Sequence, residues 1–352
     1  MSYQSQFTIY QSSDIGGPGF ITGVTGSLLA ILDACLVNGY TGKPGAGWTK
    51  PFANSGSIFG AWTQGTGSKF TLFMNDGGFT TAVGKEASVT GWQTLSQVGP
   101  TGTGANNVGT GFGQFPLPNQ VLTTGRVVWR KSGDTTTQRP WIIAADSSSV
   151  YVWIQTDTVG QYKHYAFGDV FSFRGEADLW NCIIMGQTTD NTNNNTTVAI
   201  DYMTDVIATP PTAGSGNWLT VGQSGHYIAA NAWGAGTSIG IAKRGDAGLS
   251  PLNTFSGFGI NSSQIAGAMG VPNIYDGTLY MAPLEIAEAA NPFLIRGRIR
   301  GLYQVCHPVN NFADGQIISG SGEFAGKMFQ IVRTTAIGSF WALEISPTVD
   351  TN

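Results

Sequence analysis

The residue types able to do chemistry are few in this chain and widely spaced. His164, His226 and His307 are the only histidines, and none stands in a His-x-x-x-His or Cys-x-x-Cys context. A hydrolytic zinc needs about three protein ligands around an open position, and this spacing gathers none. Cys35, Cys182 and Cys306 are odd in number and far apart, which predicts three thiols instead of a disulfide framework or a zinc site. Gly214-Ser215-Gly216 and Gly320-Ser321-Gly322 lack the Gly-x-Ser-x-Gly pattern that places a serine nucleophile on a strained turn. Gly-x-Gly patterns at 101–113 neither follow a strand nor open a helix, so they are not phosphate cradles.

Paired carboxylates are the most serious route to an enzyme, because glycosidases hold two acids on either side of the scissile bond. Asp169, Glu176, Asp178, Glu285 and Glu288 are the candidates, yet 21 acidic residues scattered over 352 positions produce pairs by number alone. No catalytic, cofactor or metal residue is assigned, and an enzyme is not expected. Trp62 and Trp92 are candidates for stacking on sugar rings. Trp129, Trp141 and Trp153 join them as large aromatics, but alternation such as Tyr151-Val152-Trp153 is the pattern of core packing. The strongest basic run is Arg296-Gly-Arg298-Ile-Arg300. Its guanidinium groups are candidate contacts for an acidic partner surface or a phosphate, with an exposed turn paired to carboxylates of the same chain as the plainer reading.

Composition limits what such residues serve. Charged side chains make up 11% of the chain, against about 25% in ordinary soluble domains. Glycine fills 50 positions and aromatics 11%. A disordered chain is poor in aromatics and rich in like charge, so this one is expected to fold. No run approaches the roughly 20 apolar residues a membrane helix needs. The net charge of −4 offers no basic face for nucleic acid. Residues 1–14 lack the basic-then-apolar signature of a secretory signal, so synthesis and folding in a cytosol are expected. Low charge combined with abundant Thr, Asn, Ser and Gly suits components of particles that fold in a cytosol and work outside it.

The elements follow from pattern. From Ser27 the apolar residues at 28, 31, 32, 35 and 36 form one buried helical stripe, predicting a helix over 27–38. Ser27 is its expected cap and Asn38-Gly39 its left-handed stop. Most of the rest reads as strands: 57–63, 69–75, 126–131, 140–145, 149–155, 163–172, 180–186, 226–230, 238–242, 279–287, 327–332 and 339–345. Asp146-Ser-Ser-Ser149 joins two of them at hairpin length. The expected fold is mainly β, with antiparallel sandwich-like domains, one short amphipathic helix and long Gly-rich loops. The Gly- and Pro-rich stretch at 99–125 marks a boundary between an N-terminal β domain, 1–98, and a larger C-terminal one, 126–352. Residues 206–242 are uncharged and open with Thr209-Pro-Pro-Thr-Ala-Gly-Ser-Gly216, where another long surface connection is expected, and the polar run at 191–197 reads as a loop.

The string Gly26-Ser-Leu-Leu-Ala-Ile-Leu-Asp-Ala-Cys-Leu-Val-Asn-Gly-Tyr40, followed by Gly45-Ala-Gly-Trp-Thr-Lys-Pro-Phe52, resembles a family of tailed-bacteriophage virion structural proteins of the minor, tail-associated type. The resemblance continues through Arg139-Pro-Trp141, Tyr165-Ala-Phe-Gly-Asp169, Ser224-Gly-His-Tyr-Ile228, Arg296-Gly-Arg298 and Gly301-Leu302, in order over most of the chain. It implies a particle component without cofactor or catalytic centre, and it transfers no site residues. The expected function is therefore a homo-oligomeric structural protein of the virion, at the tail, baseplate or neck. Its partners would be further copies of itself and other virion proteins. A carbohydrate- or receptor-binding module contacting host surface glycan, and a capsid decoration protein, are the alternatives.

Overall fold

Runs such as Trp141–Ala145 and Ser149–Gln155 carry large apolar side chains on both faces, so each needs cover on two sides. The computed structural model describes residues 3–5, 7–53, 58–81, 84–99, 107–115, 127–132, 134–155, 162–173, 181–187, 226–230, 239–243, 281–288, 294–305, 313–333, 340–345 and 348–350. Its strands are β1 (Tyr3–Ser5), β2 (Thr8–Gln11), β3 (Thr49–Ala53), β4 (Phe59–Thr63), β5 (Thr71–Thr81), β6 (Gly84–Gln97) and β7 (Val108–Phe115). Next come β8 (Val127–Ser132), β9 (Trp141–Ala145), β10 (Ser149–Gln155), β11 (Tyr162–Asp169), β12 (Phe171–Ser172), β13 (Cys182–Gln187) and β14 (His226–Ala230). The last are β15 (Ile239–Lys243), β16 (Met281–Glu288), β17 (Leu294–Val305), β18 (Ile317–Ser319), β19 (Met328–Arg333), β20 (Phe340–Glu344) and β21 (Thr348–Asp350). The helix α1 (Ser27–Leu32) runs into a π-helical segment, Asp33–Asn38.

Among the described residues these strands form three antiparallel sheets. The large sheet has 12 strands in the order β2-β9-β10-β11-β13-β8-β6-β5-β4-β3, with β14 added to β13 and β7 to β6. A 7-stranded sheet follows the order β15-β16-β17-β20-β19-β18, with β12 on β17, and β1 pairs with β21 on its own. On one face of the large sheet, Trp141, Ile143, Val150, Val152, Tyr165 and Phe167 pack with Leu28, Ile31, Leu32 and Leu36 of the helical segment. On the other, Ile142, Ala144, Tyr151, Trp153 and Ile183 pack with Ile299, Leu302, Val332 and Leu343 of the smaller sheet. The result is a sandwich with a helical cover, and the mainly β expectation is what the structure shows.

The helical segment departs from expectation at its start. Ser27 is not a cap. Gly26 holds the N-cap position in left-handed geometry (φ 80°) with no side-chain cap of its own. The capping carboxylate comes instead from β5, where Asp76 Oδ2 accepts the Leu28 N–H at 3.0 Å. The other oxygen of Asp76 meets the Lys131 ammonium from β8, which also donates to Val24 O at 3.0 Å and Ser27 Oγ at 3.3 Å. Both charged side chains are buried. The end falls where the sequence places it, at Asn38-Gly39, but Gly39 combines φ 70° with an extended ψ of 179° instead of a left-handed turn, and its N–H reaches Ala34 O at 2.8 Å.

The expected boundary at 99–125 does not separate two sheets. The stretch contains β7, which pairs with β6, and β6 also pairs with β8 across it. The N-terminal β2 likewise pairs with β9. Residues on both sides of the expected boundary therefore build one sheet. Of the stretch 206–242, where a surface connection is expected, the described residues are the strand β14 and the start of β15; its opening at 209–216 and the loop at 191–197 lie outside the described residues.

Leu32 sits fully buried beneath the large sheet. Leu32→Asp would bury a charge among apolar side chains, costing several kcal/mol out of a total stability of about 5–15 kcal/mol. The expected outcome is loss of soluble protein, checked by soluble yield against wild type.

Candidate functional site

Among the described residues, a group of polar side chains is drawn together in the interior where the two big sheets meet. It begins at the β9–β10 turn. Asp146 Oδ1 accepts the Ser148 N–H at 2.8 Å, the Ser148 hydroxyl at 3.0 Å and the Ser149 N–H at 2.8 Å. An aspartate at the first position of a tight turn closes it in this way, and the hairpin expected at 146–149 forms. The indole of Trp48 donates to Asp146 O at 2.6 Å.

Arg300, from β17, enters this turn from the opposing sheet. It is buried, and its guanidinium meets Asp146 Oδ2 at 3.0 Å. It also donates to the hydroxyl of Ser148 and, at 3.5 Å, to that of Ser149. Its own carbonyl accepts Tyr151 OH at 2.8 Å. The Ser149 hydroxyl donates to Asp169 O at 2.8 Å. Asp169 then receives Gln64 Nε2 at 3.0 Å on one oxygen and the Ser68 N–H at 2.8 Å on the other. Burial pushes the Asp169 carboxyl up, against the lowering effect of Ser68, Gln64 and Arg300. Gly67 (φ 71°) makes the approach of Ser68 possible, since a Cβ there would stand 2.1 Å from Asp169 Oδ2.

A second group closes the outer side of β2. Asp14 accepts Tyr40 OH at 2.6 Å, Lys43 Nζ at 2.7 Å and the Gln11 N–H at 2.8 Å. Lys43 Nζ also donates to Ile9 O at 2.5 Å. Burial alone would raise the Asp14 carboxyl, but the hydrogen bonds from Lys43, Tyr40 and Gln11 outweigh it and hold the group below its usual range.

These arrangements hold chain segments in register. Asp146 and Asp169 have their oxygens taken by turn amides, Gln64, Ser68 and Arg300, and the Ser148 hydroxyl donates to the Asp146 carboxylate while accepting from the Arg300 guanidinium. Among the described residues no group of three His, Cys, Asp or Glu side chains is placed to hold a metal ion, and no helix is long and apolar enough to cross a membrane.

The sequence-derived candidates fall out as follows. Arg300 does pair with a carboxylate of its own chain, but in the interior and from a strand, so the exposed turn and the outward partner contact are both corrected at that position. Arg298 is partly buried, with its guanidinium 4.8 Å from the ring centre of Phe171. Arg296 lies in β17 beside them. Trp62 is fully buried and donates its indole N–H to Asp33 at 2.8 Å; Trp92 is 6% exposed and donates to Thr90 at 3.0 Å. Neither ring is open to a sugar. Trp129, Trp141 and Trp153 are likewise buried. Cys35 and Cys182 are free, buried thiols. His164, His226, Glu285 and Glu288 lie in strands β11, β14 and β16, whereas Glu176, Asp178, Cys306 and His307 lie outside the described residues. The sequence reading missed Asp146, Ser148 and Gln64 as a cluster, and only the turn pattern at 146–149 signalled any part of it. No protein-family model and no curated protein matches this chain.

Two measurements check this account. Arg300→Met leaves Asp146 buried without its cation and is expected to cost about 3–5 kcal/mol in urea unfolding; an arginine used only for outward contact would change stability by less than about 0.5 kcal/mol. For Asp14, a lowered carboxyl contributes stability that is complete above the unfolded value of about 3.9 and disappears as pH falls through the lower folded value. Asp14→Asn is therefore expected to lower the unfolding midpoint at neutral pH, with the gap to wild type closing below about pH 4.

Proposed function

We propose that this chain is a structural component of a tailed-bacteriophage virion, built as a homo-oligomer into the tail, baseplate or neck. The observation that carries the reading is the use made of its scarce charge. Six ion pairs lie among the described residues: Asp14–Lys43, Asp33–Lys50, Asp76–Lys131, Asp134–Arg139, Asp146–Arg300 and Glu344–Lys327. Each fastens one part of the chain to another. In a chain that is only 11% charged, pairing charges within the subunit in this way leaves fewer ionised groups for subunit contacts to desolvate.

The strings that resemble phage virion proteins support the same reading by where they fall. Gly26 to Tyr40 is the helical cover, Gly45 to Phe52 is the segment beneath it with the buried Trp48, and Tyr165 to Asp169 ends in the polar junction. They mark the packing centres of the fold, which suits an architectural role. A glycan-binding role would need aromatic rings at the surface, and the five tryptophans considered for it are all interior.

Quantitative mass spectrometry of density-purified particles from the source tests the proposal. A fixed ratio to the major capsid protein, equivalent to a few or a dozen copies per particle, is the expected result. Hundreds of copies would reassign the chain to capsid decoration, and absence from particles would overturn the virion role.

A further inference from the structure

The ends of the two large sheets are treated differently. At β2, the even-numbered residues bond to β9, as Ser12 N to Trp141 O does beyond the strand, so Ile9 and Gln11 turn their backbone outward. Three of those four groups are taken: Ile9 O by Lys43, Gln11 N by Asp14 Oδ2, and Gln11 O by the Asp14 N–H at 3.0 Å. At the opposite end β3 carries Lys50, Pro51 and a register shift between Thr49 and Phe52. Charge, proline and bulges are the devices that keep an edge from pairing with another chain.

The β18 end of the smaller sheet has no charge, proline or bulge, and only its three-residue length limits it as an edge. Its sequence, Ile317-Ile318-Ser319, is uncharged and pairs with β19 without a shift. Ile331 N donates to Gln316 O and Gly320 N to Lys327 O, both at 2.8 Å. The even-numbered residues thus face β19, and Ile317 and Ser319 turn N–H and C=O to the open side. Among the described residues nothing bonds to those groups. A row of side chains also runs out to this edge: Leu302, Leu343, Gln330 and Ile317 are cross-strand neighbours on β17, β20, β19 and β18. Leu302 and Leu343 pack against the large sheet, while Ile317 carries the same face into solvent at 55% exposure, near Met328 at 38%.

We propose that β18 is a self-association edge, pairing antiparallel with β18 of a second copy so that two seven-stranded sheets join across a two-fold axis. This rests on the homo-oligomer reading above. The occupant is a second copy because the strand complements itself. Ile317 comes opposite Ser319 of the other copy and the reverse, each pair exchanging both backbone hydrogen bonds, and no charge within either strand meets its like. The same register places Ile317 of one copy two strands, about 10 Å, from Met328 of the other with only the small Ser319 between them, so the apolar face continues across the join. So short a pairing falls well below the roughly 1,200 Å² of a stable independent interface. It is a contact that strengthens when many copies are held together.

Sedimentation velocity of the full chain over a concentration series tests the edge. Ser319→Pro removes an outward N–H while leaving the bonds to β19 in place, and Ile317→Lys puts a charge on the exposed apolar face. Wild type is expected to associate as concentration rises. Each variant is expected to weaken association by about tenfold or more while keeping the wild-type circular dichroism. Wild type that stays monomeric throughout overturns the pairing, and so does association that neither natively folded variant alters; the latter leaves the oligomer standing with its interface elsewhere. Absence from particles would remove the virion role without touching a pairing seen in solution.

Discussion

A strand pair covered on both faces has to complete its hydrogen bonding inside the protein. β9 and β10 are in that position, with the helical cover on one side and the smaller sheet on the other. Their connecting turn therefore cannot rely on water, and a buried polar group without a partner costs about 1–3 kcal/mol. Asp146 satisfies the turn's amides, but its charge then needs a counter-ion, and Arg300 supplies one from the opposing sheet. The pairing also fixes how the two sheets sit on each other. Gln64, Ser68 and Asp169 extend the same bonding to the loop after β4 and the end of β11.

The helical cover depends on a similar loan. Six α-helical residues followed by a π-helical turn are too few to be stable alone, and Gly26 brings no capping side chain. Asp76 gives the helix its N-terminal acceptor and at the same time pairs with Lys131, so the cover is fastened to two strands of the sheet it shields. A negative charge is favourable at that helix end, and removing either partner would strand the other in the core.

How much of this could be read from the sequence varies with the range of the interactions. Strands 149–155 and 226–230 have the bounds the sequence indicates, because their own side chains announce them. β6 was not anticipated: Ser, Thr, Gly and Gln alternate there with few large apolar residues, and its partners on either side hold it in place. β7, Val-Gly-Thr-Gly-Phe-Gly-Gln-Phe, looks like a loop for the same reason. Arg300 looks like surface chemistry until Ser148, 152 positions earlier, and Asp146 come into contact with it. The helix cap lies 48 positions from the amide it serves. Local pattern thus reveals elements, whereas the polar junction is assembled from distant pieces that carry no shared signal.

The pairing of β1 with β21 bears on how the molecule answers load. Tyr3 lies opposite Asp350 and Ser5 opposite Thr348, so Tyr3 and Asp350 sit together at one end of the ribbon. Tension applied between them opens this ladder one rung at a time, as a zipper, instead of shearing all rungs together. Beyond it, β2 belongs to the large sheet and β20 to the smaller one, so further tension acts to draw the two layers apart, and the Asp146–Arg300 bond that crosses between them becomes a tie resisting that separation.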